Sequence, residues 1–354
     1  MLPAHLPGEG MAAPGASAAR SGSLWANGWR RFRHDRVGMV SLVVVAAFLV
    51  LIVLSSLGLV ASDWQKETGV ANAPPTFMGP AEPDAAQKVQ GATGPMVSLA
   101  DVDPLAPRYA EWDERARKFE ATESPKAATL PFGADRLGRD VLSKAIKGAQ
   151  ISIFVGVLAA VLATCIGTAL GALAGYFGGK VGDLLEWVYN VFTSIPGILL
   201  IFAFAAVAGR GVQSVVLILG FAGWTGIYRL VRAEFMKHRG REYVRAAEAI
   251  GASSGSRMFR HILPNISHVL LVQLSMYVVG FIKAEVILSY LGLGVGVDQV
   301  SWGTMLSEAQ SELLLGFWWQ LVAATAFMAV FTTAFSLMTD SLRDALDPKL
   351  MGAD

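Results

Sequence analysis

The chain has 354 residues, of which 53% are hydrophobic and 16% charged, and its formal net charge is +1. So few polar side chains could not cover a water-soluble protein of this length, and the composition predicts a polytopic membrane protein. The single cysteine, Cys165, excludes a disulfide framework within the chain, and the five histidines show no ligand spacing. We expect no metal or other cofactor on this chain and no nucleic-acid partner.

The N-terminal part predicts a tail and a membrane anchor. Residues 1–23 are rich in Ala, Gly, Pro and Ser, which predicts a disordered cytoplasmic tail. Residues 24–61 join an aromatic and basic segment, predicted to be an interfacial helix, to a first apolar span at 37–60. No small-residue cleavage site follows a short apolar core, so we expect this span to remain as an anchor.

Residues 62–130 are polar and interrupted by prolines. We predict an extracytoplasmic insert that carries one solvated helix at 108–123, where acidic residues precede basic ones by four positions. A helix that contacts the substrate is the alternative interpretation. The role of the insert stays open at this point.

Residues 131–340 are predicted to form a core that completes an all-α fold with six transmembrane helices. Besides 37–60, the apolar stretches of about the required 20 residues are 151–176, 187–208, 212–228, 268–293 and 316–339. Lys and Arg crowd before the first span and into 229–260, and none occurs in 294–315. By the positive-inside rule both termini are therefore cytoplasmic, including a C-terminal tail at 341–354.

The segment 241–265, REYVRAAEAIGASSGSRMFRHILPN, is a basic stretch between two apolar spans. Helical spacing predicts a helix from Glu242, with Gly251 in a left-handed conformation after its end. A second short helix is predicted at 257–261, and Pro264 then begins a new element. The residues predicted to share the apolar, partner-facing side are Tyr243, Ala246, Ala247 and Ile250, while Arg241, Arg245 and Glu248 share the other.

The spacing of Ala246-Ala247, Gly251 and Leu263-Pro264 resembles the EAA loop of bacterial ABC-importer permeases. Arg245 and His261 stand where many members carry Glu and Ile, as is common in the dipeptide and oligopeptide (C-type) subfamily. The resemblance implies the type I importer permease fold and a cytoplasmic coupling loop at 233–265. The residues that it assigns to ATPase coupling are Tyr243, Arg245, Ala246, Ala247, Glu248, Ile250, Gly251, Leu263 and Pro264. An ordinary basic amphipathic loop is the alternative interpretation.

Other stretches resemble the same subfamily. Residues 132–156, FGADRLGRDVLSKAIKGAQISIFVG, resemble a second signature, and LSYLGLG at 288–294 and DSLRDALDPKL at 340–350 resemble further ones. In the first of these, Asp140 is predicted to begin an amphipathic surface helix. Its polar side is predicted to expose Ser143, Lys144 and Lys147 to water.

Two features within the spans need an explanation. Gly167, Gly171 and Gly175 recur every four residues, which predicts close packing against another helix, of this chain or of a second permease. Lys283 and Glu285 are ionisable at membrane depth and too close in sequence to face each other. Each is a candidate for lining the translocation pathway, and an ion pair with another helix is the alternative.

The resemblance implies a heterodimer with a homologous permease, two ATP-binding subunits that hold ATP and Mg²⁺, and an extracytoplasmic solute-binding protein. The chain lacks a G-x-x-x-x-G-K-[ST] phosphate loop, so we expect no enzyme activity of its own. The predicted function is that of an inner-membrane permease subunit for di- or oligopeptides. The alternatives are an ion-coupled secondary transporter, or an ABC permease for a nickel chelate or a peptide antibiotic.

Overall fold

The structure, a computed structural model, describes residues 24–80, 104–118 and 126–346. Within these ranges the chain is helical and its only β pairs are isolated bridges. The predicted all-α class is confirmed, whereas the predicted tail at 1–23 lies outside the described residues. The helices are α1 (Leu24–His34), α2 (Arg36–Ser56), α3 (Tyr109–Lys118), α4 (Val141–Phe177), α5 (Gly179–Thr193), α6 (Gly197–Ala208), α7 (Val212–Arg239), α8 (Glu242–Ala249), α9 (Ser254–Tyr290), α10 (Trp302–Leu314) and α11 (Trp319–Leu346).

Five of these helices, α2, α4, α7, α9 and α11, are long and apolar enough to span a membrane. The predicted third span, 187–208, is not one helix, because α5 and α6 meet at an angle of 82°. Pro196 precedes the first residue of α6 and has no N–H to continue the α5 ladder. The sixth predicted span is therefore a sharply bent pair, either a broken span or a re-entrant loop.

Helix α4 combines two elements that are predicted separately from the sequence, the surface helix that begins at Asp140 and the span 151–176. Asp140 caps it by accepting hydrogen bonds from the backbone N–H groups of Leu142 (3.3 Å) and Ser143 (2.9 Å), as predicted. The helix then continues for 37 residues, about 55 Å at 1.5 Å per residue. The predicted surface helix is thus the first part of the second span, which extends well beyond a hydrocarbon layer of about 30 Å.

Helices α4 and α7 pack closely along the predicted glycine stripe. A Cβ on Gly167, Gly171 or Gly175 would lie 2.7, 2.7 or 2.5 Å from the carbonyl oxygens of Trp224, Tyr228 and Arg232, respectively. The stripe therefore packs inside this chain. Because α7 leads directly into segment 241–265, this contact positions that segment.

The insert end of the bundle, formed by residues 62–80 and 126–140, carries a buried ion cluster. The Lys144 ammonium donates to Asp135 (2.7 Å), Glu308 (2.5 Å) and the Gln320 side-chain carbonyl (3.2 Å). Only 1% of Lys144 is exposed, so the prediction that it faces water is wrong. Its position in α4 places it against α10 and α11, whose acidic and amide groups replace its water shell.

Glu312 lies beside this cluster and is buried. Its Oε1 accepts a hydrogen bond from the Arg136 backbone N–H (3.0 Å), while its Oε2 has no hydrogen-bond partner in the described structure. Burial raises the pKa of the Glu312 carboxyl above its ordinary value of 4.5, although the Arg136 N–H and the Lys144 ammonium act against this shift. The site therefore disfavours the ionised carboxylate relative to water.

Two predictions on stability follow. Gly171→Ala is expected to cost about 1–3 kcal/mol of unfolding free energy, because its Cβ would overlap the Tyr228 carbonyl oxygen. The measurement is the thermal unfolding midpoint of the protein in detergent. Gly280→Ala is the matched control, since a Cβ at Gly280 meets no atom within 4 Å, and equal midpoints for both variants would contradict the packing role.

Glu312→Gln is expected to raise the unfolding midpoint at pH 8. A carboxyl with a raised native pKa stabilises the fold fully below its unfolded pKa, and this stability is lost as pH rises through the native pKa. The advantage of the variant should therefore shrink as pH falls towards 4.5. A Glu312→Gln variant less stable than wild type at pH 8 would refute the raised pKa of the Glu312 carboxyl.

Lys144→Met is expected to lower the unfolding free energy by about 3–5 kcal/mol, because it leaves Asp135 buried without its cation.

Candidate functional site

The predicted helix in segment 241–265 is α8, which begins at Glu242 and ends at Ala249. Gly251 has a φ of 86°, the left-handed conformation that favours glycine. Its N–H donates to the Glu248 carbonyl (2.9 Å) and the next N–H, of Ala252, donates to the Ala247 carbonyl (2.9 Å). Both predictions are confirmed, and the turn closes α8 with its last carbonyls satisfied.

The second predicted helix is part of a longer one. Ser253 caps α9, and residues Arg257–Ile262 form a π-helical turn that continues without a break to Tyr290. Pro264 is the second residue of the α-helical part, which follows this π-helical turn directly. The short helix at 257–261 is thus the end of the fifth span, and Leu263 and Pro264 lie within that helix.

The inner face of the segment is fixed to the rest of the chain. Val244 packs in one hydrophobic cluster with Phe235 of α7 and with Met258 and Ile262 of α9. Ala247, three residues later on the same face of α8, is only 4% exposed, so its predicted place on the partner-facing side is wrong. The packing of Val244 fastens α8 to α7 and α9.

The outer face carries apolar side chains that nothing in the described structure covers. Ile250 is 86% exposed and Phe259 65% exposed, while Tyr243 and Ala246 are also exposed. Phe259 is not among the residues predicted for this face, although an aromatic residue within the basic run SRMFRH could have indicated it. Large exposed apolar side chains grouped on one surface are typical of a protein contact.

Charged groups surround this outer face. Glu248 forms an ion pair with Arg257, whose guanidinium also lies 5.7 Å from the centre of the Tyr176 ring. Arg245 is exposed. A cleft of about 730 Å³ separates α8 from the turn after α4. Its charged lining is Asp183, Arg232, Arg239, Arg245, Glu248 and Arg257, so the surroundings of the outer face are mainly cationic.

Further contacts connect the segment to the membrane helices. The Tyr243 hydroxyl and the Nδ1 atom of His238, on α7, are 2.7 Å apart. Arg232 forms an ion pair with Glu186 of α5 (2.8 Å), and Tyr228 donates to the same carboxylate (3.2 Å). Burial raises the pKa of the Tyr243 phenol, which keeps this hydroxyl protonated. These contacts join α8 to α7, and α7 to α5.

The two ionisable residues of the fifth span lie in different surroundings. Glu285 is fully buried and accepts hydrogen bonds from the hydroxyls of Ser152 (2.6 Å) and Ser289 (2.7 Å). No cation of the described chain pairs with it, so it neither lines an exposed surface of this chain nor forms the ion pair considered above. Lys283 is exposed. Among the described residues, no group of three or more His, Cys, Asp or Glu side chains is arranged to hold a metal ion.

Comparison with known proteins identifies the family. Residues 167–352 match the family described as "Binding-protein-dependent transport system inner membrane component". Residues 23–75 match the "N-terminal TM domain of oligopeptide transport permease C". The first match includes three of the segments that resemble this subfamily in sequence, 241–265, 288–294 and 340–350.

Individual relatives agree with these matches. The oligopeptide transport system permease protein OppC of Bacillus subtilis is 29% identical over 94% of this chain and 92% of its own length. The dipeptide transport system permease protein DppC of B. subtilis is 36% identical over 64% and 71%, respectively. The glutathione transport system permease protein GsiD of Shigella flexneri is 40% identical over 62% and 73%. The chain therefore belongs to the family of inner membrane components of binding-protein-dependent transport systems.

Proposed function

We propose that this chain is one permease subunit of an ATP-driven importer of di- or oligopeptides. The observation that carries the proposal is the exposed apolar face of α8 and the start of α9, which is attached to two membrane helices. The names of the relatives, which transport oligopeptides, dipeptides and glutathione, support a peptide cargo. The family description, which includes a binding protein, supports an importer.

The assembly that we propose contains four further subunits. A homologous permease completes the translocation pathway, two ATP-binding subunits hold ATP and Mg²⁺, and an extracytoplasmic binding protein delivers the cargo. The ATP-binding subunits hydrolyse ATP, and this chain has no catalytic role. The lipid bilayer surrounds the helices α2, α4, α7, α9 and α11.

The proposed orientation places α8 and both termini in the cytoplasm. The Lys and Arg residues of 229–260 support this side assignment, as does the absence of Lys and Arg from residues 294–315 at the other end. The insert 62–130 and the buried cluster of Lys144 then lie outside, on the side from which the binding protein approaches. The C-terminal residues 341–354 belong to the cytoplasmic side.

The proposed mechanism is a rigid-body shift. The exposed apolar residues of the outer face sit in a groove of an ATP-binding subunit, with Arg245 and the Glu248–Arg257 pair at its rim. These apolar residues are Tyr243, Ala246, Ile250 and Phe259. Closure of the ATP-binding subunits displaces α8, and the packing of Val244 against Phe235 and Met258 passes that displacement to α7 and α9. The pathway then changes between outward and inward access.

An ion-coupled secondary transporter has less support, because one of its two candidate groups is enclosed. Such a mechanism needs titratable groups that water reaches, and the candidates in the fifth span were Lys283 and Glu285. The carboxylate of Glu285 is instead enclosed by Ser152 and Ser289, which connect it to the backbone of Trp302 and Val295. This arrangement suits a fixed structural contact between α4, α9 and the start of α10.

The docking face is tested by cysteine crosslinking in a Cys165→Ser background, in membranes that contain the assembled importer. Ile250→Cys is expected to crosslink to an ATP-binding subunit, because its side chain is exposed. Ala247→Cys is the matched control, three residues away on the buried face, and should not react. The reverse pattern, or labelling of Ile250→Cys by aqueous reagents without any crosslink, would contradict the docking assignment.

A substitution at the same position tests coupling. Ile250→Asp is expected to lower ATP-driven uptake about 30-fold or more, since the loss of a central apolar anchor costs about 2 kcal/mol or more of binding free energy. Ile250→Val keeps the apolar contact and should retain most activity. The measurement is uptake into proteoliposomes together with co-purification of the ATP-binding subunits. Normal uptake by the aspartate variant would count against the mechanism.

A further inference from the structure

Lys283 is exposed on α9, seven residues before the helix ends at Tyr290. At 1.5 Å per residue this places it about 10 Å inside that end, within the span. Lys283 makes no hydrogen bond or ion pair with the described residues of this chain. Arg229 and Arg232, cations of α7, differ in this respect, because they contact the Tyr189 hydroxyl and the Glu186 carboxylate.

The other faces of α9 are occupied. Phe281 lies against Gly223 of α7, and Ile282 lies against Gly156 of α4. Glu285 is enclosed by serine hydroxyls and cannot neutralise Lys283, because residues two apart on a helix point in nearly opposite directions. The ammonium of Lys283 is therefore directed to the one side of the helix that this chain leaves uncovered.

A continuous stripe marks that side of α9. Its members are exposed and recur at intervals of four and three residues, which places them on one helix face: Met276, Gly280, Lys283, Ile287 and Tyr290. At its outer end the Tyr290 hydroxyl donates to the side-chain carbonyl of Gln310 (3.2 Å). Gly280 leaves open space beside Lys283. The stripe thus provides open space at Gly280, a cation at Lys283 and a hydrogen-bonding hydroxyl at Tyr290.

An ammonium at this depth needs water or a counter-charge. We propose that the stripe lines the aqueous pathway between the two permease subunits and that Lys283 binds a carboxylate of the cargo as it passes. The proposal rests on the proposed function, and a carboxylate is the group that the peptides named for the relatives share with glutathione. A cation at the outer part of the pathway attracts such a group and releases it readily, because water still reaches both.

The test uses the complete importer with its binding protein in proteoliposomes, labelled trialanine as the probe, and a Cys165→Ser background. Lys283→Cys is expected to lower uptake about tenfold. Treatment with 2-aminoethyl methanethiosulfonate forms a disulfide that carries a new ammonium, with sulfinate as the leaving group, and should restore most of the uptake. The anionic 2-sulfonatoethyl reagent forms the same bond without the positive charge and should restore none.

Two neighbouring variants control for access. Ile287→Cys, on the same stripe, should react with both reagents without any gain in uptake from the ammonium. Val286→Cys is buried and should not react.

Several results would overturn the inference. Unchanged uptake by Lys283→Cys, or recovery with the anionic reagent, would exclude a carboxylate site. A cysteine at 283 that aqueous reagents cannot reach would indicate a lipid-facing lysine, and loss of the second permease on purification would indicate an ion pair between subunits. A wild-type importer that transports no trialanine would overturn the proposed peptide function, and the inference with it.

Discussion

The close approach of α4 and α7 is the constraint on which the rest of the structure depends. Three glycines remove every Cβ from one face of α4, so its backbone lies against the carbonyl groups of Trp224, Tyr228 and Arg232. Because lipid tails are as apolar as the side chains, no hydrophobic effect drives helices together in a bilayer, and close van der Waals contact is a principal source of their association. This contact holds α7 in place, and α8 follows α7 directly in the chain.

Two buried charged groups fasten helices together, whereas the exposed Lys283 does not. Lys144 joins α4 to α10 and α11 through carboxylates and an amide, and Glu285 joins α4 to α9 through serine hydroxyls. Each of these has partners within the chain, as buried polar groups require. Lys283 has none among the described residues, which is why its explanation must come from the assembled transporter.

Features of the fold that depend on neighbouring residues were predicted correctly from the sequence. The Asp140 cap, the start of α8 at Glu242 and the left-handed Gly251 depend only on neighbouring residues. Periodicity could not tell which of the adjacent alanines, the exposed Ala246 or the buried Ala247, faces inwards, because that depends on how other elements pack against α8. Lys144 was misplaced for the same reason, since its partner Glu308 is 164 residues away. Pro196 signalled an interruption without giving the 82° bend.

The π-helical turn at Arg257–Ile262 has a consequence for how the family can diversify. A π turn takes up about one residue more than an α turn, so it shifts the rotational phase between the two parts of α9. The part that we propose meets an ATP-binding subunit and the part that carries Lys283 therefore have separately set orientations. Changing the length of this turn would rotate one relative to the other by about 100° per residue. Two permeases with the same docking residues could in this way present different side chains to their cargo.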